Sequence, residues 1–352
     1  MSKDSDDNEN PEDARFMRLA LREAERGAGR TSPNPAVGAV IVRHGRVVAR
    51  GYHHAAGGPH AEIEALRALR RPEQARDATL YVTLEPCSTH GRTPPCTDAI
   101  RQAGLARVVV GATDPNPRHA GAGLGLLRAA GIAVRAGVLA EECNRLNRAF
   151  NRWIVTGRPW VIAKAALTLD GRLARPPGED RWLSGPAARA HAHRQRARVD
   201  AILVGAGTVR ADNPRLTVRG VPGADPARQP WRVVLTRTGD LPPDCHLLTD
   251  EWRERTLVFR GEPLADVLAL LGTRQVTSVL IEGGGQVLGQ AFDAGLVDEV
   301  QFYFTPWIAG GPTKAAAGEG VAGATAAITC DYRCERLGPD VFVGGGMHRL
   351  EG

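Results

Sequence analysis

Apolar residues follow two different spacings along the first half of the chain. Phe16, Leu19, Ala20 and Ala24 recur at helical intervals, which predicts an amphipathic helix over residues 13–27. Short apolar runs bounded by turn-forming residues predict strands, and the first two would form a hairpin at His44-Gly45. The predicted strands are 36–42, 47–52, 79–84, 107–111 and 132–138, and the further helices are 60–69, 97–103 and 139–150. Strands that alternate with helices predict a layered α/β domain.

The pattern is interrupted between residues 151 and 159, where Trp153, Gly157 and Pro159 break the periodicity. Because a chain of 352 residues exceeds one ordinary hydrophobic core, two domains are expected. We predict a disordered tail over residues 1–11, a first domain over 12–151 and a second domain over 158–352. The second domain is predicted to hold strands at 160–166, 201–205, 231–236, 276–281 and 299–305, a helix at 186–198, a loop at 208–219 and a last strand near Val341.

Composition and charge narrow the class of protein. Hydrophobic residues make up 43% of the chain and charged residues 24%, as in soluble globular enzymes. No apolar run is long enough to span a bilayer, the acidic first ten residues do not form a signal peptide, and six cysteines are no disulfide framework. We therefore expect a cytoplasmic protein with reduced thiols. The net charge of +6 comes from scattered arginines, which favours a phosphorylated small molecule over nucleic acid as the partner.

Two short segments carry the strongest chemical signal. His60, Cys87 and Cys96 are the ligand types of a catalytic zinc site that keeps its fourth position open. Glu62, two residues after the histidine, is placed to move a proton from zinc-activated water to leaving ammonia. The loop between the cysteines is longer than the usual P-C-x-x-C form of nucleobase deaminases, which indicates a separate branch. A structural zinc site and two unrelated core cysteines are the alternative interpretations.

The second half carries a weaker signal. A predicted strand ends at Glu282 and continues into Gly283-Gly284-Gly285 and a helix, an arrangement that lets backbone N–H groups approach a phosphate. Gly205-Ala206-Gly207 lacks the third glycine of a dinucleotide fingerprint. Taken alone, these residues predict an α/β domain that could hold a phosphate-bearing cofactor.

Taken together, the motifs resemble those of the bifunctional pyrimidine deaminase/reductase family of riboflavin biosynthesis over nearly the whole chain. They lie at residues 31–38, 57–62, 84–96, 164–171, 182–186, 200–219 and 282–284. The resemblance implies an N-terminal cytidine-deaminase-like three-layer α/β/α domain and a C-terminal dihydrofolate-reductase-like α/β domain.

The resemblance also implies two reactions in series. The first is the zinc-dependent hydrolytic deamination of 2,5-diamino-6-(5-phosphoribosylamino)pyrimidin-4(3H)-one. The second is the NADPH-dependent reduction of the ribosyl side chain, which yields 5-amino-6-(5-phosphoribitylamino)uracil. One Zn²⁺ per chain and NADPH would be the cofactors, and the family resemblance favours a homo-oligomer with neither a nucleic-acid nor a membrane partner.

Site residues follow from the same resemblance. In the first half the zinc ligands would be His60, Cys87 and Cys96, the proton shuttle Glu62, the substrate contacts Asn34 and Arg92, and the pocket residues Asp114 and Asn116. In the second half the catalytic residue would be Lys164, and the substrate contacts Asp180, Arg196, Leu216, Arg219 and Glu282. The cofactor contacts would be Trp182, Thr208, Asp212, Gly284 and Gly285.

Two positions depart from the family pattern. Thr89 stands where a histidine is common, with His90 beside it, and Asp180 stands where a serine is usual. These departures leave open the alternative of an enzyme with only one active half.

Two further alternatives do not depend on these positions. A nucleic-acid-editing zinc deaminase predicts strongly salt-dependent binding to RNA or DNA. A zinc-stabilised binding module predicts that Glu62→Gln leaves function intact.

Overall fold

A computed structural model describes residues 10–89, 94–117, 119–173, 182–320 and 328–348. The chain divides into two compact units, Met1–Thr156 and Gly157–Gly352. No helix among the described residues is both long and apolar enough to cross a lipid bilayer.

The first unit is built on a five-stranded mixed sheet that is covered on both faces. Its strands are β1 (Gly38–Arg43), β2 (Arg46–Tyr52), β3 (Thr79–Leu84), β4 (Arg107–Ala112) and β5 (Ala133–Ala136), in the order β2-β1-β3-β4-β5. The helices are α1 (Pro11–Glu25), α2 (Ala61–Arg67), α3 (Cys96–Gln102), α4 (Ala122–Ala129), α5 (Ala140–Leu146) and α6 (Arg148–Thr156). The β1–β2 hairpin turns at His44 and Gly45 as predicted.

Alternation along the strands explains the three layers. In β1, Ala39 and Ile41 pack into the hydrophobic cluster that holds α2, α3 and α4, whereas Val40 and Val42 pack into the cluster that holds α1 and α5. All four residues are buried, because each face of the sheet carries its own helices. The predicted three-layer α/β/α architecture of this unit is therefore confirmed.

The predicted helix over 139–150 is two helices in the structure. Asn147 lies between α5 and α6, where its side-chain amide accepts from the Ala36 backbone N–H at 2.8 Å and donates to the Ala36 carbonyl at 2.9 Å. A buried amide with these two partners favours a break in the helix at its own position. The second helix, α6, then continues to Thr156, through residues that the sequence pattern placed in a break.

The second unit holds an eight-stranded sheet in the order β12-β13-β11-β6-β10-β7-β8-β9. Its strands are β6 (Trp160–Thr168), β7 (Ala201–Gly205), β8 (Trp231–Thr236), β9 (Thr256–Arg260), β10 (Ser278–Ile281), β11 (Glu299–Thr305), β12 (Ile328–Leu337) and β13 (Asp340–His348). The helices are α7 (Pro186–Arg196), α8 (Ala206–Asp212), α9 (His246–Thr249), α10 (Leu264–Thr273) and α11 (Gly285–Asp293). The strands from β11 to β9 in this order run parallel to one another. Strand β13 is antiparallel to β11, and β12 is antiparallel to β13.

Parallel pairing brings the carboxyl ends of β6, β7 and β10 to one edge of this sheet. Gly205 closes β7, and Glu282 follows β10 directly, so both lie at that edge. The residues 208–219 were predicted as a loop, but the first part belongs to α8, whose Val209 is buried against β7 and β8. Strands β9 and β12 were not predicted.

Candidate active sites

Three elements of the first unit bring the predicted zinc ligands together. His60 precedes the first turn of α2, Cys87 follows β3, and Cys96 is the first residue of α3. The Nδ1 atom of His60 lies 3.5 Å from the Cys87 Sγ and 3.4 Å from the Cys96 Sγ. Within the described ranges, these three form a group whose potential ligand atoms all lie within 4.8 Å of one another.

The donor set and its spacing fit zinc. Tetrahedral bonds of about 2.0–2.3 Å to nitrogen and sulfur require ligand atoms to be about 3.5 Å apart, as the two His60–cysteine distances are. The Cys87 sulfur also accepts from the Cys96 backbone N–H at 3.3 Å. Hydrogen bonds from the Cys96 thiol and the His60 ring outweigh burial and lower the pKa of Cys87 well below its ordinary value. Thiolate, the form that binds metal, is therefore favoured at this position.

Glu62 lies in the first turn of α2 and lines the same cavity as His60 and Cys87. Its side chain is buried, and burial raises its pKa to about 7 although the nearby His60 opposes the shift. A carboxyl group with a pKa near neutrality can both accept and return a proton. The predicted shuttle residue is thus placed beside the predicted metal ligands.

The cavity has a volume of about 300 Å³, enough for a small aromatic ring and its substituents. Asn34, Asp114 and Asn116, all predicted for this site, line it. Thr89, where the family pattern has a histidine, lines it as well. Further lining residues that the sequence analysis did not single out are His53, Glu85, His119 and Phe150.

His53 fixes the orientation of the Asn34 side chain. Its Nδ1 lies 2.9 Å from the Pro59 carbonyl, and its Nε2 lies 3.0 Å from the Asn34 Nδ2. Since Nδ1 must donate to the carbonyl, Nε2 of the neutral ring accepts from the Asn34 amide. Burial lowers the pKa of His53, which favours that neutral form. The only sequence signal for His53 is its position at the end of β2, seven residues before His60.

Glu85 joins the metal-binding segment to the loop that carries Asp114. Its buried carboxylate accepts backbone N–H groups from Gly123 at 2.9 Å, Gly121 at 3.0 Å, Asp114 at 3.1 Å and Leu124 at 3.3 Å. A Cβ atom at Gly123 would lie 2.3 Å from the Pro86 carbonyl oxygen, so this close approach requires glycine. The sequence placed Glu85 at the end of a strand but did not reveal its four donors.

In the second unit, Lys164, Arg196 and Glu282 meet in one buried ion cluster. The Glu282 carboxylate accepts from Arg196 Nε at 2.6 Å and from Nη2 at 2.7 Å, and the Lys164 ammonium lies 3.9 Å away. Arg196 Nη1 donates to the Thr217 carbonyl at 3.0 Å. The Lys164 ammonium also lies 5.7 Å from the centre of the Tyr303 ring, within cation–π range.

Burial and charge act in opposite directions within this cluster. Burial alone would raise the pKa of Glu282, but Arg196 and Lys164 outweigh it and hold the pKa at about 2. Burial lowers the pKa of Lys164, and Glu282 opposes that shift. The cluster therefore keeps a carboxylate ionised in the interior and leaves the ammonium of Lys164 easier to deprotonate than a surface lysine.

Leu216 and Arg219 belong to the segment that follows α8. Leu216 is buried and adopts a left-handed backbone conformation with φ of 50°. Arg219 is exposed, and its guanidinium donates to the Thr217 hydroxyl. The Thr217 carbonyl is the group that Arg196 contacts, so the backbone of this segment is tied to the buried ion cluster.

The predicted cofactor residues fall into two groups. Gly284 precedes the first turn of α11, and a Cβ atom there would lie 3.2 Å from the Thr208 hydroxyl, so Thr208, Gly284 and Gly285 are close together. Trp182 is exposed and packs under the Arg189 guanidinium, whereas Asp212 is exposed at the end of α8. Arg92 and Asp180, both predicted substrate contacts, lie outside the described residues, as does His90.

Two family models match the chain. The cytidine and deoxycytidylate deaminase zinc-binding region matches residues 10–112, and the RibD C-terminal domain matches residues 159–343. The chain is 39% identical to the riboflavin biosynthesis protein RibD of Actinobacillus pleuropneumoniae, with 94% of each chain covered. It is 40% identical to RibD of Escherichia coli K12, over 86% of this chain and 90% of that one.

Solved structures give the same result. Acinetobacter baumannii RibD superposes with a TM-score of 0.86 at 35% identity, covering 96% of this chain and 99% of that chain. A diaminohydroxyphosphoribosylaminopyrimidine deaminase/5-amino-6-(5-phosphoribosylamino)uracil reductase of Thermotoga maritima superposes with a TM-score of 0.85 at 34% identity, covering 97% and 99%. These matches confirm the predicted fold of both halves and the resemblance from which the site residues were assigned a role.

Proposed function

This chain belongs to the RibD family of riboflavin biosynthesis proteins, and from that premise we propose that it catalyses two successive steps of that pathway. The first unit deaminates 2,5-diamino-6-(5-phosphoribosylamino)pyrimidin-4(3H)-one by hydrolysis. The second unit reduces the ribosyl group of the product with NADPH. The observation that carries the proposal is the grouping of His60, Cys87 and Cys96 around one point beside Glu62. A module that merely needed zinc for stability would not require a buried carboxylate there.

In the first unit, zinc would be held by His60 Nδ1 and the two cysteine sulfurs, and when bound it supplies a Lewis acid that makes water a nucleophile at neutral pH. Glu62 takes the proton from the attacking water and delivers it to the departing amino group. Asn34 donates to His53 through Nδ2, so its carbonyl oxygen is left to accept from an N–H of the pyrimidine. Arg92 is proposed as a contact for the substrate phosphate.

In the second unit, NADPH supplies the hydride. Lys164 donates a hydrogen bond to the ribose oxygen that gains electron density, and Glu282 keeps the ammonium in place. Arg196 and Arg219 neutralise the charge of the substrate phosphate, and Asp180 and Leu216 are proposed as further substrate contacts. The glycines at the start of α11, with Thr208 beside them, receive a cofactor phosphate. Trp182 and Asp212 are proposed as further cofactor contacts.

Removal of the metal separates the two reactions. Apoprotein prepared with a chelator is expected to lose ammonia release from the diaminopyrimidine, measured without nicotinamide cofactor, and to recover it on addition of Zn²⁺. The same apoprotein is expected to keep oxidising NADPH when given the deaminated compound. Ammonia release that persists without metal would overturn the proposal for the first unit, and absence of NADPH oxidation would overturn it for the second.

Homo-oligomerisation, which the family resemblance favours, stays a prediction. Size-exclusion chromatography with light scattering would test it, since a single species at the 37.6 kDa mass of the chain would contradict it.

A further inference from the structure

His193 connects two elements of the second unit that each carry a proposed phosphate contact. It lies on α7, one turn before Arg196, and its Nδ1 accepts from the backbone N–H of Arg219 at 3.2 Å. Because Nδ1 is the acceptor, the proton of the neutral imidazole must be on Nε2. The ring therefore has one N–H donor that this hydrogen bond does not use.

The charges around His193 are unbalanced. Lys164, Arg196 and Arg219 are cations, and the carboxylate among them is that of Glu282. Arg196 donates to Glu282 through Nε and Nη2 and to the Thr217 carbonyl through Nη1. No ion pair joins Arg219 to a carboxylate among the described residues. The group consequently has an excess of positive charge that favours an anion of charge −2.

Burial, Arg196 and Arg219 lower the pKa of His193 to about 4, whereas Glu282 opposes the shift and Lys164 adds to it. The charged groups that act on the ring are Arg196 on its own helix, Arg219 after α8, Glu282 after β10 and Lys164 on β6. The ring is thus neutral at pH 7. A neutral ring with a free N–H can donate to an anion without adding to the repulsion among the cations.

We propose that His193 is a further contact for a phosphate monoester in the reductase half, with Nε2–H donating to a phosphate oxygen beside Arg219. The proposal rests on the proposed function, in which the substrate carries such a group. NADPH also carries a phosphate monoester, so the two sources must be separated by experiment. Arg196 shares Glu282 with Lys164, which is the residue proposed to contact the substrate ribose. Because His193 lies on the same helix as Arg196, we assign its phosphate contact to the pyrimidine substrate.

Two substitutions distinguish a His193 that binds the phosphate from a His193 that only links α7 to the backbone of Arg219. His193→Asn keeps an amide oxygen near the Nδ1 position, where it can accept from the Arg219 backbone, but removes the Nε2 donor. His193→Gln can place an amide N–H2 near the Nε2 position. Arg198→Gln removes an exposed charge close to the end of α7 and is the matched control.

We expect His193→Asn to raise the KM for the deaminated pyrimidine about tenfold, or about 1.4 kcal/mol, with little change in kcat. The KM for NADPH is expected to stay unchanged, and His193→Gln and Arg198→Gln are expected to stay close to wild type. Inhibition by inorganic phosphate should weaken in parallel with the substrate KM. An unchanged KM for the pyrimidine in His193→Asn, or a raised KM for NADPH instead, would overturn the proposal.

Failure of the proposed function has a different signature. In that case the wild-type protein would not oxidise NADPH with the deaminated compound at all. A phosphate titration of wild type and of His193→Asn then still decides whether His193 contacts an anion. In the wild type the NMR signals of the labelled histidine ring report the contact directly. Equal phosphate affinity of the two proteins, with no shift of the His193 signal, overturns the contact.

Discussion

The two units build their candidate sites in opposite ways. In the first unit the metal ligands and Glu62 come from two short segments, and the outermost ligands, His60 and Cys96, are 36 positions apart. In the second unit Arg196 and Glu282 are 86 residues apart. They meet only because the fold brings the last residue of α7 to the carboxyl end of β10. The first site is thus a local constellation, whereas the second is a buried ion network, and removal of one of its partners should also destabilise the unit. Loss of a charged group should therefore have separable consequences in the two halves.

The largest separable effect is expected for Glu62→Gln. The amide cannot take a proton from water, so ammonia release should fall by a factor of about 10²–10⁴, while the isosteric side chain keeps the cavity filled. Zinc content, measured by atomic absorption, should stay at one ion per chain. NADPH oxidation with the deaminated compound should remain at the wild-type rate.

A fall in both rates would contradict the independence of the two halves. Unchanged ammonia release would instead show that Glu62 is not the proton shuttle of the deamination.

Glu282→Gln should have a mixed effect, on stability as well as on activity. It leaves Arg196 and Lys164 buried without a carboxylate partner, and breaking such a pair costs about 3–5 kcal/mol. The free energy of unfolding of the second unit, measured in urea, should fall by about that amount, and NADPH oxidation should be lost. Ammonia release is the internal control and should persist.

The same carboxylate should make the second unit sensitive to acid. Its pKa in the folded protein is about 2, below the ordinary value of 4.5, so its stabilising contribution is fully present above about pH 4.5. That contribution should disappear as the pH falls towards 2, with a total loss of about 3 kcal/mol. Glu282→Gln should abolish this part of the pH dependence, and a variant that keeps the wild-type acid profile would show that the pair does not stabilise the fold.

The contrast between the sites also explains what the sequence could predict. His60, Glu62, Cys87 and Cys96 lie where strands end and helices begin, so local pattern and ligand type were enough to group them. The pairing of Arg196 with Glu282 depends on the strand order of the sheet, which periodicity does not contain. The four donors of Glu85 are backbone groups without a side-chain signature.

The elements that were predicted incorrectly have similar causes. The break between α5 and α6 depends on the contact of Asn147 with Ala36, 111 residues away. Strand β12 includes Asp331, Arg333, Glu335 and Arg336, so its charged sequence resembles a loop, yet β13 pairs with it over most of its length. In both cases tertiary contacts override the local pattern.

Glu85→Gln tests whether the local site of the first unit also depends on remote backbone contacts. The amide –NH2 of glutamine would face two of the four backbone N–H groups that now donate to the carboxylate. Each backbone N–H left without an acceptor costs about 1–3 kcal/mol. The loop that carries Asp114 should loosen, so the KM of the deamination should rise while zinc content is retained. Loss of zinc in this variant would mean that Glu85 serves the metal ligands rather than the loop.

The smallest expected effect concerns His53, where one hydrogen bond sets the orientation of Asn34. In His53→Asn the shorter amide can still donate to the Pro59 carbonyl from near the Nδ1 position, but nothing accepts from Asn34 Nδ2. In His53→Gln the amide oxygen can reach the Nε2 position and keep that acceptor. Since one such hydrogen bond contributes about 1 kcal/mol, His53→Asn should raise the KM of the deamination about fivefold, with kcat and zinc content unchanged, and His53→Gln should stay near wild type. Equal KM values for the two variants would show that Asn34 holds its orientation without His53, and the first site would then be as local as its sequence motif.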